Sequence, residues 1–150
     1  VYSAPITFPH HSASCYIRGI FDTVLQFDDQ SYAVVDFKTT QPKAEHINFY
    51  SRQLHAYSYA LENPNPGKFS LQPVSTLGLL CVEPVEMTRT QQGNLSYEGE
   101  VTWLDCPKDE GAFLDFIDQV LAVLDQPEPP PASPNCGFCK YRQDARQTGY

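Results

Sequence analysis

The chain has 150 residues, a hydrophobic fraction of 41% and a formal net charge of −8. That length suits a single domain with a real core, and the acidic balance argues against a nucleic-acid coat protein or a basic protein of membrane surfaces. It does not exclude an enzyme acting on nucleic acid, because carboxylates grouped to hold cations make a domain acidic.

Residues 1 to 14 hold two prolines and the pair His10–His11, and they read as an irregular lead-in or an edge strand. Residues 16 to 27, YIRGIFDTVLQF, are rich in β-branched and aromatic types and predict a strand. Asp28, Asp29 and Gln30 form a short polar turn, and residues 31 to 39 predict the next strand. So short a connection implies an antiparallel hairpin. Beyond Pro42 the period changes. Ile47, Tyr50, Leu54, Tyr57 and Leu61 recur at helical spacing, predicting a helix from Lys43 to about Asn63, which NPNPG ends.

VSTLGLLCV, residues 74 to 82, has the nearly all-apolar character of a central strand covered on both faces. Residues 95 to 104 alternate and predict a more exposed strand after the turn QQGN. Residues 110 to 125 predict a second amphipathic helix, and the proline-rich segment 127–135 reads as a surface linker to CGFCKYR. A helix between the second and third strands permits a crossover, so the expected class is α/β with a mixed sheet in one domain spanning 1–150.

No apolar run is long enough to cross a membrane, and no signal peptide is visible. The chain starts at Val1 rather than Met, which suggests part of a longer protein or complex. Five cysteines at irregular spacing make a poor disulfide framework, so a reducing, intracellular and cytoplasmic setting is expected. The tail is locally basic, with Lys140, Arg142 and Arg146 against Asp144.

The chemistry concentrates in VVDFKTT, residues 34 to 40. Residues two apart in a strand share a face, so Asp36 and Lys38 project together. Each would be costly to bury alone, and side by side they partly compensate. A hairpin turning at residues 28 to 30 sets Asp22 opposite Asp36. Two facing carboxylates repel unless a cation lies between them, and a hard oxygen donor set favours Mg²⁺ or Mn²⁺. Lysine beside such a site can orient or activate water, or offset charge developing on a phosphoryl group. On the following helix Tyr50, Gln53 and Tyr57 share a stripe, where Gln53 could hold a phosphate, a metal-bound water or Lys38.

GIFD, then VVDFKTT, then QLHAY resembles the PD-(D/E)XK nuclease superfamily, with the nearest likeness to its RecB-like branch, which includes iron–sulfur exonucleases associated with CRISPR systems. The motifs span about residues 16 to 61. The resemblance implies a restriction-endonuclease-like central sheet flanked by helices. Asp22, Asp36 and the backbone carbonyl of Phe37 would be metal ligands, and Lys38 the catalytic lysine. Gln53 and Tyr57 would support the site or contact DNA. The implied reaction is Mg- or Mn-dependent hydrolysis of DNA, single- or double-stranded, by an exonuclease of DNA processing or repair.

Two parts of the pattern are incomplete. The resemblance implies an N-terminal helix carrying a further metal ligand, which this chain begins too late to include, and His10 and His11 are not assigned to that role. Cys136 and Cys139 match the start of a C-terminal cysteine cluster, but its third cysteine is absent and no iron–sulfur cluster is expected. Zinc held by Cys136, Cys139 and distant partners is a weaker alternative. The second functional reading is a catalytically impaired module of the same fold that binds nucleic acid or a protein partner. A third is an unrelated α/β enzyme; a nucleotide-binding one is disfavoured because no glycine-rich loop follows a strand.

Overall fold

The computed structural model describes residues 1–43 and 45–147. One four-stranded sheet runs in the order β1 (Thr23–Gln26), β2 (Tyr32–Lys38), β3 (Val74–Arg89), β4 (Leu95–Cys106). Helices α1 (Glu45–Glu62), α2 (Glu110–Leu124) and α3 (Gly137–Gln147) complete the element order. The pairs β1–β2 and β3–β4 are antiparallel, whereas β2 and β3 run parallel across the α1 crossover. This is the mixed α/β sheet expected of a restriction-endonuclease-like fold.

The β1–β2 turn follows from its residues. Asp29 Oδ1 accepts from the Ser31 hydroxyl at 2.7 Å and the Ser31 N–H at 2.9 Å, and Gln30 takes the left-handed conformation at φ 71°. β1 is much shorter than expected. Residues 15–18 are drawn to the lead-in instead, through bridges Tyr2–Arg18 and Ile6–Cys15. The strand itself begins at Thr23.

β3 and β4 run further than predicted. Past Cys81, β3 has no β2 residue to pair with, yet β3 and β4 continue together to Arg89 and Leu95. Pro84 is accommodated because the ladder shifts register between it and Glu86. Both faces of this two-stranded ribbon are open to solvent, leaving Met87, Leu95 and Tyr97 exposed.

The main core lies between the sheet and α1. Leu54 and Leu61 are fully buried against Val34, Leu77, Leu79 and Cys81, and Ile47, Tyr50 and Tyr57 flank them. The helical stripe read from the sequence is thus the face that meets the sheet. A smaller cluster joins Ile6 of the lead-in to Phe113, Ile117 and Leu121 of α2. Asp109 caps α2, its side chain accepting from the Ala112 N–H. Glu62 ties the units together: Oε2 meets Lys108 Nζ at 2.6 Å and Oε1 accepts from the Val74 N–H at 2.8 Å.

α3 was not expected from the sequence. It follows the exposed residues 127–135 and buries none of its own, so no apolar stripe announces it. Among the described residues, no helix is long and apolar enough to cross a membrane.

Gly78 on β3 lies beneath Trp103 of β4, and a Cβ there would fall 2.1 Å from Trp103 Cζ2. Gly78→Ala should displace the indole and cost about 1–3 kcal/mol. Trp103 is the sole tryptophan, so its emission and a urea unfolding curve read both effects in one titration. Unchanged emission would place the ring elsewhere.

Candidate active site

The last registered pair of the β1–β2 ladder is Thr23–Val35. Asp22 and Asp36 occupy the next positions, Asp22 just outside its strand and Asp36 well inside β2. Asp22 Oδ2 accepts from the Phe37 N–H at 2.9 Å. Its side chain takes the donor that a longer β1 would have satisfied with backbone.

Asp36 is only 3% exposed. Its Oδ2 meets the Lys38 ammonium but takes no hydrogen bond of regular geometry among the described residues. Its Oδ1 has a long contact, 3.4 Å, from Gln53 Nε2. Gln53 also donates to the Tyr57 hydroxyl at 2.9 Å. Gly19 backs this tyrosine closely, since a Cβ there would lie 2.8 Å from Tyr57 Cε1. The first and third motifs therefore touch through a glycine that has no room for a side chain.

Lys38 Nζ sits 4.2 Å from the centroid of the Tyr50 ring. Burial pulls its proton affinity down, but the hydrogen bond and charge of Asp36, with smaller contributions from Tyr50 and Asp22, outweigh burial and leave the pKa raised above 10.5. The lysine is held as an ammonium.

Asp22, Asp36, Lys38, Gln53 and Tyr57 are therefore brought to one end of the β1–β2 hairpin and the facing side of α1. Tyr50, one turn before Gln53, joins them; its spacing on the stripe was the available signal. Phe37 differs from its neighbours in β2, the residue being 45% exposed. It lines a cleft of about 400 Å³ with Lys38, Thr39, Val82, Met87 and Tyr97, reaching the base of the ribbon.

Other titratable groups lie elsewhere. A cleft of about 390 Å³ between α1 and α2 includes His55. That ring is engaged on both sides, Nδ1 with the Ser51 carbonyl and Nε2 with the Asp109 N–H, each at 2.8 Å. Its role is to join α1 to the start of α2. His10 and His11 meet Asp118 of α2, and His11 also meets Asp125 at its C-cap, an association across more than a hundred residues that no local pattern could signal. All five cysteines are free thiols.

A family model of the PD-(D/E)XK nuclease superfamily matches residues 3–143. The chain belongs to that superfamily. No curated protein and no solved structure matches it.

Nucleases of this superfamily typically use divalent metals, and the donor set here suits one. The buried Asp36 Oδ2 has the Lys38 ammonium beside it but no hydrogen bond of regular geometry among the described residues, and the Asp22 carboxylate stands beside the backbone of Phe37. Carboxylate and carbonyl oxygens form a hard donor set.

The Asp36–Lys38 pair should be energetically tight. Lys38→Met leaves a buried carboxylate without its counter-ion and should cost about 3 kcal/mol, the low end for breaking a buried pair, because the lysine side chain retains 22% exposure. Adding Asp36→Asn should recover part of that loss in a double-mutant cycle followed by urea unfolding. A single-variant cost below about 1 kcal/mol would class the pair with solvated surface bridges.

Proposed function

We propose that this protein is a metal-dependent DNA nuclease, an exonuclease of the RecB-like kind that serves DNA processing or repair inside the cell. The observation that carries the reading is the convergence of Asp22, buried Asp36 and Lys38 at the edge of an open cleft. A structural ion pair alone has no need of a second carboxylate at the adjacent strand position.

Asp22, Asp36 and the Phe37 carbonyl would hold Mg²⁺ or Mn²⁺, whose contribution when bound is to polarise the scissile phosphate and neutralise its charge. Lys38 presents ammonium N–H donors that orient a water for in-line attack and offset charge growing on the phosphate oxygens. Gln53 and Tyr57 keep the Asp36 carboxylate in place. The exposed rings of Phe37 and Tyr97 line the cleft next to Lys38 and suit stacking of an unpaired base. Lys140, Arg142 and Arg146, exposed on α3, supply positive charge for the phosphate backbone.

End-labelled single- and double-stranded DNA incubated with Mg²⁺ or Mn²⁺ tests the reading. The parent should cut in a chelator-sensitive way and leave a ladder that gives its polarity. Asp36→Ala and Lys38→Ala should each lose about 10²-fold or more, and Gln53→Leu about 10–100-fold, as expected for a residue that supports a ligand. A folded parent that binds DNA without cutting it would instead be a binding module that has kept the pair and lost the reaction.

A further inference from the structure

A second donor cluster lies where the lead-in crosses α2, and it is built from different chemistry. His10 Nε2 is 2.7 Å from Asp118 Oδ1, and His11 Nε2 is 3.1 Å from the same oxygen. The two imidazole rings lie side by side, 4.4 Å between centroids. His11 is nearly enclosed, its side chain 8% exposed, and its other nitrogen, Nδ1, is 2.8 Å from Asp125 Oδ2.

A neutral imidazole carries one N–H, so it cannot donate to both carboxylates at once. For a neutral ring, the better-anchored carboxylate is the natural acceptor of its one proton. Asp125 is anchored by the loop itself, with Oδ1 accepting from the Ser12 hydroxyl at 2.6 Å and the Ala13 N–H at 3.1 Å, and Oδ2 from the Ser12 N–H at 3.2 Å. A carboxylate so fixed is suited to receive Nδ1–H of His11. The lone pair of Nε2 is then left facing Asp118, where His10 also converges. A histidine whose far nitrogen is held by a carboxylate is the usual support of a metal-bound imidazole.

We propose that His10 Nε2, His11 Nε2 and Asp118 Oδ1 bind a transition-metal cation of the zinc type, with Asp125 orienting His11 from behind. The three donor atoms lie within 4.8 Å of one another. Tetrahedral bonds of about 2.0–2.1 Å separate ligands by about 3.3 Å, so the two nitrogen–oxygen edges, 2.7 and 3.1 Å, need to lengthen by about 0.6 and 0.2 Å. Two imidazole nitrogens and one carboxylate oxygen favour zinc, cobalt or nickel over magnesium. The site is thus chemically orthogonal to the oxygen-donor cluster around Asp36. His10 keeps 62% of its side chain exposed, which leaves a route for the ion and for a solvent ligand. The bound ion would clip the lead-in to α2 above the cluster of Ile6, Phe113, Ile117 and Leu121.

Chelator-stripped protein titrated with Co²⁺ alone tests this, read by visible d–d absorption and by competition with a chromophoric chelator. The parent should bind one tight equivalent with an absorption typical of low coordination, and Zn²⁺ should displace it and raise the melting temperature. His10→Ala and Asp118→Asn alter exposed or half-exposed side chains; each should weaken binding at least tenfold with an unchanged circular-dichroism spectrum. The combined Cys136→Ser and Cys139→Ser variant should bind as the parent does, and Asp36→Asn should keep the tight equivalent and its absorption. Three outcomes overturn the proposal. Absence of Co²⁺ binding would leave a proton-bearing His11 clamp between two carboxylates. Binding lost only with the cysteines would place the ion at α3, and binding lost only with Asp36→Asn would place it on β2.

Discussion

A carboxylate buried in the middle of a sheet constrains everything around it. Asp36 is 3% exposed, and an ion in that position is tolerated only if charge and hydrogen bonds replace the water it lost. Lys38 supplies the charge from two residues along the same strand. Gln53 reaches across from α1, and Asp22 braces the backbone at Phe37. Helix α1 must therefore cross the sheet at this point. The parallel pairing of β2 with β3 is what a crossover helix in that position produces.

The same residues explain why the site is stiff on one side and open on the other. Beneath it lie Val34, Leu54, Leu79 and Cys81, all fully buried. Tyr57 is confined between Gln53 and the backbone of Gly19. On the open side Phe37 faces solvent, and the ladder beyond Cys81 has lost its third strand. The ribbon of β3 and β4 projects past the site with exposed apolar and aromatic residues. A rigid set of charges next to an accessible aromatic cleft suits the phosphodiester substrate proposed for it, with room for the rest of the strand.

The molecule has two centres of organisation. One is the sheet with α1, which carries the superfamily motifs. The other is the lead-in with α2, which has its own small apolar cluster and its own polar cluster of two histidines and two aspartates. Glu62, Lys108 and His55 couple the two through the start of β3 and the cap of α2. Nitrogen-rich and oxygen-rich donor sets kept apart in this way can select different cations.

The sequence by itself determined the central strands, the amphipathic helices, the crossover and the ordered motifs, because each is written in short-range periodicity and turn chemistry. It also placed Asp22 opposite Asp36, since hairpin register depends only on where the turn falls. It could not fix the length of β1, because residues 15–18 bridge to the lead-in rather than extending the hairpin. Nor could it foresee the extension of β3 and β4, whose long pairing sustains polar and apolar residues alike. Helix α3 buries nothing, so it left no pattern to read. The meeting of His10 and His11 with Asp118 and Asp125 was decided only by tertiary structure. Those residues share no local period, and their approach follows from packing Ile6 against Phe113 and Leu121, a long-range consequence of burying apolar surface.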